Sequence, residues 1–250
     1  MRSFGTLIIG DEILTGKRQD KHFAQVIGVL KARGLELSWA EYLGDDPQRI
    51  TATLRRTLTS DDVVFSFGGI GATPDDHTRQ CAAAAANVGL RRHPEAVREI
   101  ESRFGPAAYP KRILMAEFPQ GSRIVPNPFN RIAGFSLGHH YFLPGFPEMA
   151  WPMMEWVLDT LYRDLHHALP QAEQTIVVDA MPESDIIDAM NAVLARFDGV
   201  KVSSLPRFTS TGREVELSVR GDPEQVPAAM AIIKNAVDLL GYCYESPAKS

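Results

Sequence analysis

Apolar positions in the first half of the chain fall into two alternating rhythms. The run TLIIG (6–10) is short and continuous, which reads as a buried strand ending at Gly10. Beyond it Phe23, Val26, Ile27 and Leu30 recur at steps of three and four, predicting an amphipathic helix over 19–33 that Gly34 closes. LELSWAEYLG (35–44) reads as the next strand. Asp45 or Asp46 then caps a helix with Pro47 in its first turn and Ile50, Leu54 and Leu58 along one face. DVVFSF (62–67) is a third strand, followed after a polar loop by an alanine-rich helix over 81–86. Strands alternating with helices of this length predict βαβ units, hence an α/β fold with a mostly parallel sheet and helices on both faces, three layers in all.

Further along, HPEAVREIESRFG (93–105) predicts a helix with Val97, Ile100 and Phe104 on one face. The stretch 121–145, richer in Gly, Pro and Asn, holds short strands around Ile124, Phe135 and Phe142. A long helix follows Pro144, with Pro152 in its first turns and its methionines and tryptophans read as packing. Near Leu169-Pro170 the rhythm changes to strand (175–179), helix (184–197), strand (200–205), strand (213–220), helix (223–240). That βαββα order predicts a small α+β domain, so the expected domains are 1–168 and 169–250, the latter ending in a disordered tail, SPAKS.

Bulk composition narrows the function classes. The 250 residues are 44% hydrophobic and 23% charged, as in ordinary soluble domains. A net charge of −5 argues against nucleic acid as a partner, because basic residues occur only as short doublets such as Arg55-Arg56 and Arg91-Arg92. Cys81 and Cys243 stand far apart with no CxxC, which fits a reducing, cytoplasmic location. The apolar start is too short for a secretory signal, and no run approaches the ~20 residues of a membrane span. The doublets His139-His140 and His166-His167 lack metal spacing and read as solvated surface.

Candidate chemistry collects where the parallel strands should end, the usual ligand edge of such a sheet. Strand one runs into Gly10, Asp11, Glu12 and Gly16; strand two into Asp45 and Asp46; strand three into FGGIGATPDDHT, with Gly68, Gly69, Gly71, Thr73, Asp75, Asp76 and Thr78. Glycines before a helix offer free N–H groups that suit phosphate, an effect worth roughly 0.3–2 kcal/mol from the dipole. Each carboxylate about 4 Å from a phosphate charge opposes it by ~1–4 kcal/mol. The conflict disappears if a hard divalent ion, Mg²⁺ or alternatively Mn²⁺ or Co²⁺, lies between them, held by Asp11, Asp45 and Asp76. The competing reading is that each aspartate only caps its own helix or turn. The loop has no GK[ST], and Pro74 replaces the last glycine of a GxGxxG, so it is neither a Walker A nor a dinucleotide fingerprint.

Taken together, IIGDEILTGKRQDKH, YLGDD, FGGIGATPDDHTR and FLPGFPEM resemble the motifs of the MoaB/Mog family of molybdopterin-binding domains, in particular the amino-terminal part of CinA (competence/damage-inducible) proteins, over roughly residues 4–165. The resemblance implies a small-molecule ligand, a nucleotide or pterin, bound at that edge, with molybdopterin itself possible in the wider family. It matches Asp11, Gly16 and Asp20 to the first loop, Asp45 to the second, and Gly68, Gly69, Gly71, Thr73, Asp76 and Thr78 to the glycine-rich loop. Pro144, Gly145, Pro147 and Glu148 match the closing motif. It further implies metal-dependent hydrolysis of ADP-ribose-like dinucleotides, with Asp76 and Asp45 as catalytic candidates. Alternatives are adenylyl transfer to molybdopterin, or a non-catalytic binding module. A homo-oligomer is expected because relatives assemble. The sequence departs from the family at Ala72 (usually Pro), His22 (usually Asn) and Arg131-Ile132 (usually small residues near the expected pocket). The carboxy-terminal amidohydrolase domain of longer CinA proteins is not expected within 250 residues.

Overall fold

A computed structural model describes residues 2–167, 171–209 and 212–246. They divide into two compact units, Met1–His166 and His167–Ser250. The expected boundary at 168 and most of the tail SPAKS lie outside the described residues.

In the first unit, β1 (Phe4–Ile9), β2 (Leu37–Leu43), β3 (Val63–Phe67) and β8 (His140–Leu143) run parallel, and β7 (Gly134–Leu137) and β6 (Arg123–Val125) continue the sheet antiparallel. The strand order is β2-β1-β3-β8-β7-β6. Alternation along β1 sends Phe4 and Ile8 to one face and Leu7 and Ile9 to the other. The first face packs on α2 (His22–Lys31) and α6 (Pro147–Leu161) through Val26, Leu30, Met153 and Leu158. The second packs on α3 (Pro47–Thr57), α4 (Thr78–Ala85) and α5 (Pro94–Phe104) through Ile50, Leu54, Ala82 and Ile100. A ribbon of β4 (Leu90–Arg92) and β5 (Glu117–Pro119) stands apart from the main sheet. This is the three-layer, mostly parallel α/β fold that the rhythm predicts. Asp46 is the cap of α3, accepting from the amides of Gln48 and Arg49 at 2.8 and 3.2 Å, with Pro47 in the first turn.

Three expectations are corrected. The stripe of α2 is rotated: His22, Val26, Val29 and Leu30 are buried, whereas Phe23 and Ile27 lie on its solvent flank. In α3 the third buried position is Thr57, with Leu58 only half-buried past the helix end. His140 is not surface: it opens β8 and is 2% exposed, because the period of two that buries Phe142 also buries the position two before it.

The second unit is an antiparallel sheet, β10-β11-β9-β12, formed by β9 (Ala172–Asp179), β10 (Lys201–Thr209), β11 (Gly212–Gly221) and β12 (Tyr244–Glu245). With α7 (Ile187–Arg196) and α8 (Val226–Leu239) it encloses a separate core of Ile176, Val215, Leu217, Val193, Met230 and Ile233. The short strand β12 adds to the predicted βαββα order. Among the described residues, no helix is long and apolar enough to cross a membrane.

Candidate functional site

The parallel strands end together and their loops are tied at the start. Gly10 donates its amide to the carbonyl of Leu43, and Gly68 donates to that of Leu143, each at 3.0 Å. Asp11 opens the one-turn helix α1 (Asp11–Leu14), which Gly16 closes at φ 73 by donating to Ile13. Across the edge, the Asp11 amide donates to Asp45 Oδ2 at 2.9 Å, and the Asp45 amide donates to Asp11 Oδ1 at 3.1 Å. Burial pushes the Asp45 carboxyl up, the Asp11 amide opposes this, and the charges of Asp11, Glu12 and Asp75 add to the rise.

The glycine-rich loop is held from beneath. Gly68, at φ 103, sits where an added Cβ would lie 2.1 Å from the Ile9 carbonyl oxygen, so only glycine fits. Buried Thr78 donates its hydroxyl to Gly68 O and its amide to Gly69 O, both at 3.0 Å. Arg79 is 4% exposed and spreads its guanidinium over three carbonyls: Gly71 at 2.6 Å, Leu114 at 2.5 Å and Glu117 at 3.1 Å. Asp76 accepts from the amide of Thr73 at 3.0 Å and from its hydroxyl, and it packs so close that a Cβ on Gly71 would meet its Oδ2 at 2.4 Å.

The expected convergence of three acids is therefore partial. Asp11 and Asp45 are brought together, Asp76 is turned onto its own loop, and Asp75 is the loop aspartate whose charge reaches Asp45. Among the described residues no three His, Cys, Asp or Glu side chains are grouped to hold one ion.

Beside the acid pair, on the α2 and α6 side, opens a pocket of about 330 Å³ bounded by Glu12, Arg18, Asp20, His22, Gly145 and Glu148. Asp20 caps α2, accepting from the amides of His22 and Phe23 at 2.8 and 3.1 Å, and also from Tyr42 Oη at 2.8 Å. The Tyr42 phenol is pushed up to about 12 by burial and by that carboxylate. His22 stacks on Phe67 with ring centroids 4.3 Å apart. Its Nε2 lies 3.1 Å from Gly145 O, and its Nδ1 accepts from Trp151 Nε1 at 3.3 Å. Burial pushes this imidazole down, against the raising effects of Gly145 and Asp20. The Gly145 turn, between Pro144 and Pro147, touches the glycine loop: a Cβ there would lie 3.5 Å from Gly68 Cα. Glu148 sits in the first turn of α6.

Arg131, expected near this pocket, instead bonds Glu99 Oε2 at 2.7 Å and Ser102 Oγ at 3.2 Å on α5, beside a separate hollow of about 560 Å³ under Trp156. Three residues that shape the site escape sequence reasoning. Arg79 reads as surface by its chemistry, while Tyr42 and Trp151 read as strand and core apolars. The signal available for Arg79 was its place one residue inside an alanine-rich buried helix.

Comparison with known proteins accords with this architecture. Residues 5–163 match the family described as "Probable molybdopterin binding domain". A CinA-like protein of Anaeromyxobacter sp. (strain K) is 33% identical over 196 residues, covering 75% of this chain and 48% of the relative. Protein Ta0487 of Thermoplasma acidophilum is 28% identical over 248 residues, covering 96% and 95%. The crystal structure of the protein CinA from the same organism superposes with a TM-score of 0.57 at 26% identity, over 63% of this chain and 98% of that one. The chain spans about half the length of the first CinA-like relatives it matches. With the match running through every loop of the strand-end site, the chain belongs to the molybdopterin-binding-domain family of MoaB/Mog type and has CinA-like proteins among its relatives.

Proposed function

We propose that the first unit is a divalent-metal-dependent nucleotide pyrophosphatase acting on ADP-ribose-like dinucleotides. The observation that carries this reading is the Asp11–Asp45 pair, two carboxylates joined through each other's amides with further negative charge from Glu12 and Asp75. Each carboxylate commits one oxygen to that exchange and keeps the other without a hydrogen-bond partner among the described residues. A hard-oxygen donor set of this kind suits Mg²⁺, which takes one or two carboxylates and fills its shell with water and phosphate oxygens. Asp11 and Asp45 would hold the ion. When bound, it neutralises the acid cluster and polarises the anhydride.

The chain's own groups do the rest. The amides of Gly69, Ile70 and Gly71 have no acceptor among the described residues and are available to phosphate oxygens. Asp76 and Arg79 keep those amides in place from behind. Water attacks one phosphorus, its proton passes to an acid beside the pair that the ion leaves uncommitted, Glu12 or Asp75, and the anhydride bond breaks to leave AMP and ribose 5-phosphate. The test is AMP release from ADP-ribose with Mg²⁺, Mn²⁺ or Co²⁺, compared with Asp45→Asn, Asp11→Asn and Asp76→Asn. Absence of AMP in every metal, with nucleotide still raising the melting temperature, would sink the hydrolase and leave a binding module.

The family description favours a second reading in which molybdopterin is the ligand and its terminal phosphate takes the place of water in adenylyl transfer. Pyrophosphate release from ATP that depends on added molybdopterin would distinguish it.

A further inference from the structure

We propose that His22 is the positioning residue of this edge, setting the height of the glycine loop through Gly145; the functional part of this inference rests on reading the edge as a nucleotide site. The two bonds of the imidazole select one form of the ring. A carbonyl only accepts, so Nε2 facing Gly145 O carries the hydrogen; an indole N–H only donates, so Nδ1 facing Trp151 is bare. The stack on Phe67, with the rings 16° from parallel, fixes the ring plane, and Trp151 meets its edge at 89°. A side chain stacked on one face by Phe67, met at its edge by Trp151 and bonded at both nitrogens, 6% exposed, locks the start of α2 to the turn that starts α6. That turn is the ground on which the glycine loop stands. Gly145 abuts Gly68, and the Gly68 amide is bonded to Leu143, two residues before Gly145. His22 thus reaches the phosphate amides without touching phosphate.

Packing alone does not need a histidine here, since phenylalanine would stack on Phe67 equally well. What phenylalanine lacks is the donor–acceptor pair, and glutamine supplies both through its amide. The experiment is amide hydrogen exchange at Gly68 and Thr78, whose bonds to Leu143 and Gly69 report the loop, with AMP release measured in parallel. In His22→Phe the two amides exchange about tenfold faster, while Phe65 in the core strand is unchanged. His22→Gln stays within about twofold of wild type on the same scale. In the assay, KM for ADP-ribose rises about tenfold in His22→Phe with kcat nearly kept, and His22→Gln restores it. Exchange at Gly68 and Thr78 unaltered in His22→Phe, or no recovery in His22→Gln, overturns the proposal. Should His22→Phe not fold, Trp151→Phe removes one of the two bonds and is read by the same amides, with the same outcomes. If wild type releases no AMP, the hydrolase reading fails alone, because the exchange measurement still decides the role of His22.

Discussion

Asp11 and Asp45 carry the same charge, yet each accepts a hydrogen bond from the other's main-chain amide, at 3.1 and 2.9 Å. The Asp11 amide offsets part of the cost, but burial first, and then the charges of Asp11, Glu12 and Asp75, keep the Asp45 carboxyl above its ordinary range. Asp45→Asn keeps an acceptor for the Asp11 amide and deletes one charge. Without divalent ions this variant should melt at or slightly above wild type, by less than about 1 kcal/mol given its partial exposure. In wild type the raised folded-state affinity means this site contributes stability at low pH and loses it as pH rises through the folded value. Added Mg²⁺ should raise the wild-type melting temperature and leave that of Asp45→Asn in place. Equal metal responses in the two proteins would contradict the pair as an ion site.

Gly68 and Gly16 both have positive φ, at 103° and 73°, but only Gly68 has backbone in the way of a side chain. Gly16→Ala meets open space and should cost about 1–2 kcal/mol of left-handed strain. Gly68→Ala adds a clash with the Ile9 carbonyl and should cost about 3 kcal/mol or more. Urea midpoints of the two variants rank them, and equal costs would mean that the loop yields freely.

His140 is held neutral by burial, its imidazole pushed down to about 3 from an ordinary 6.5. Between those values the unfolded chain binds a proton that the folded one refuses. The stability from this site is therefore full above 6.5 and declines as pH falls toward 3, by at most about 1.4 kcal/mol per pH unit. His140→Phe, able to keep the stack on Phe142, should flatten that decline. Denaturant unfolding at pH 7, 5.5 and 4.5 measures the slope, and parallel profiles for the two proteins would refute the assignment.

Arg79→Lys retains a charge but replaces a planar fork by a point donor. With carbonyls of Gly71, Leu114 and Glu117 to satisfy, at least one is left unpaired, and the loss should be about 2–4 kcal/mol. Chemical denaturation tests it; a change below the measurement error would mean that the lysine ammonium reaches the same carbonyls.

Local rules made the architecture readable from the residues. Continuous apolar runs marked β1 and β3, and the Asp-Asp-Pro sequence marked the start of α3. What stayed hidden depends on contacts distant in sequence. Asp45 turns toward Asp11, 34 residues away, a pairing that no local signal reveals, whereas Asp76 closes a turn with Thr73 three residues back, as the competing reading of the sequence has it. The doublet His139-His140 looks polar until the strand register is known, and only Val64 opposite His140 reveals that the position faces the interior. Arg79 was invisible for the same reason, since burial of a guanidinium is affordable only where several carbonyls converge, and those come from separate segments.

The pairing of β3 with β8 sets a condition on biosynthesis. Val64 finds His140, and Gly68 finds Leu143, only after everything between them has left the ribosome. Closure over so long a loop is slow, and the strands already made wait with an open edge. A nascent chain interrupted before Leu143 would own every aspartate of the pair and the full glycine loop, and still have nothing for that loop to rest on.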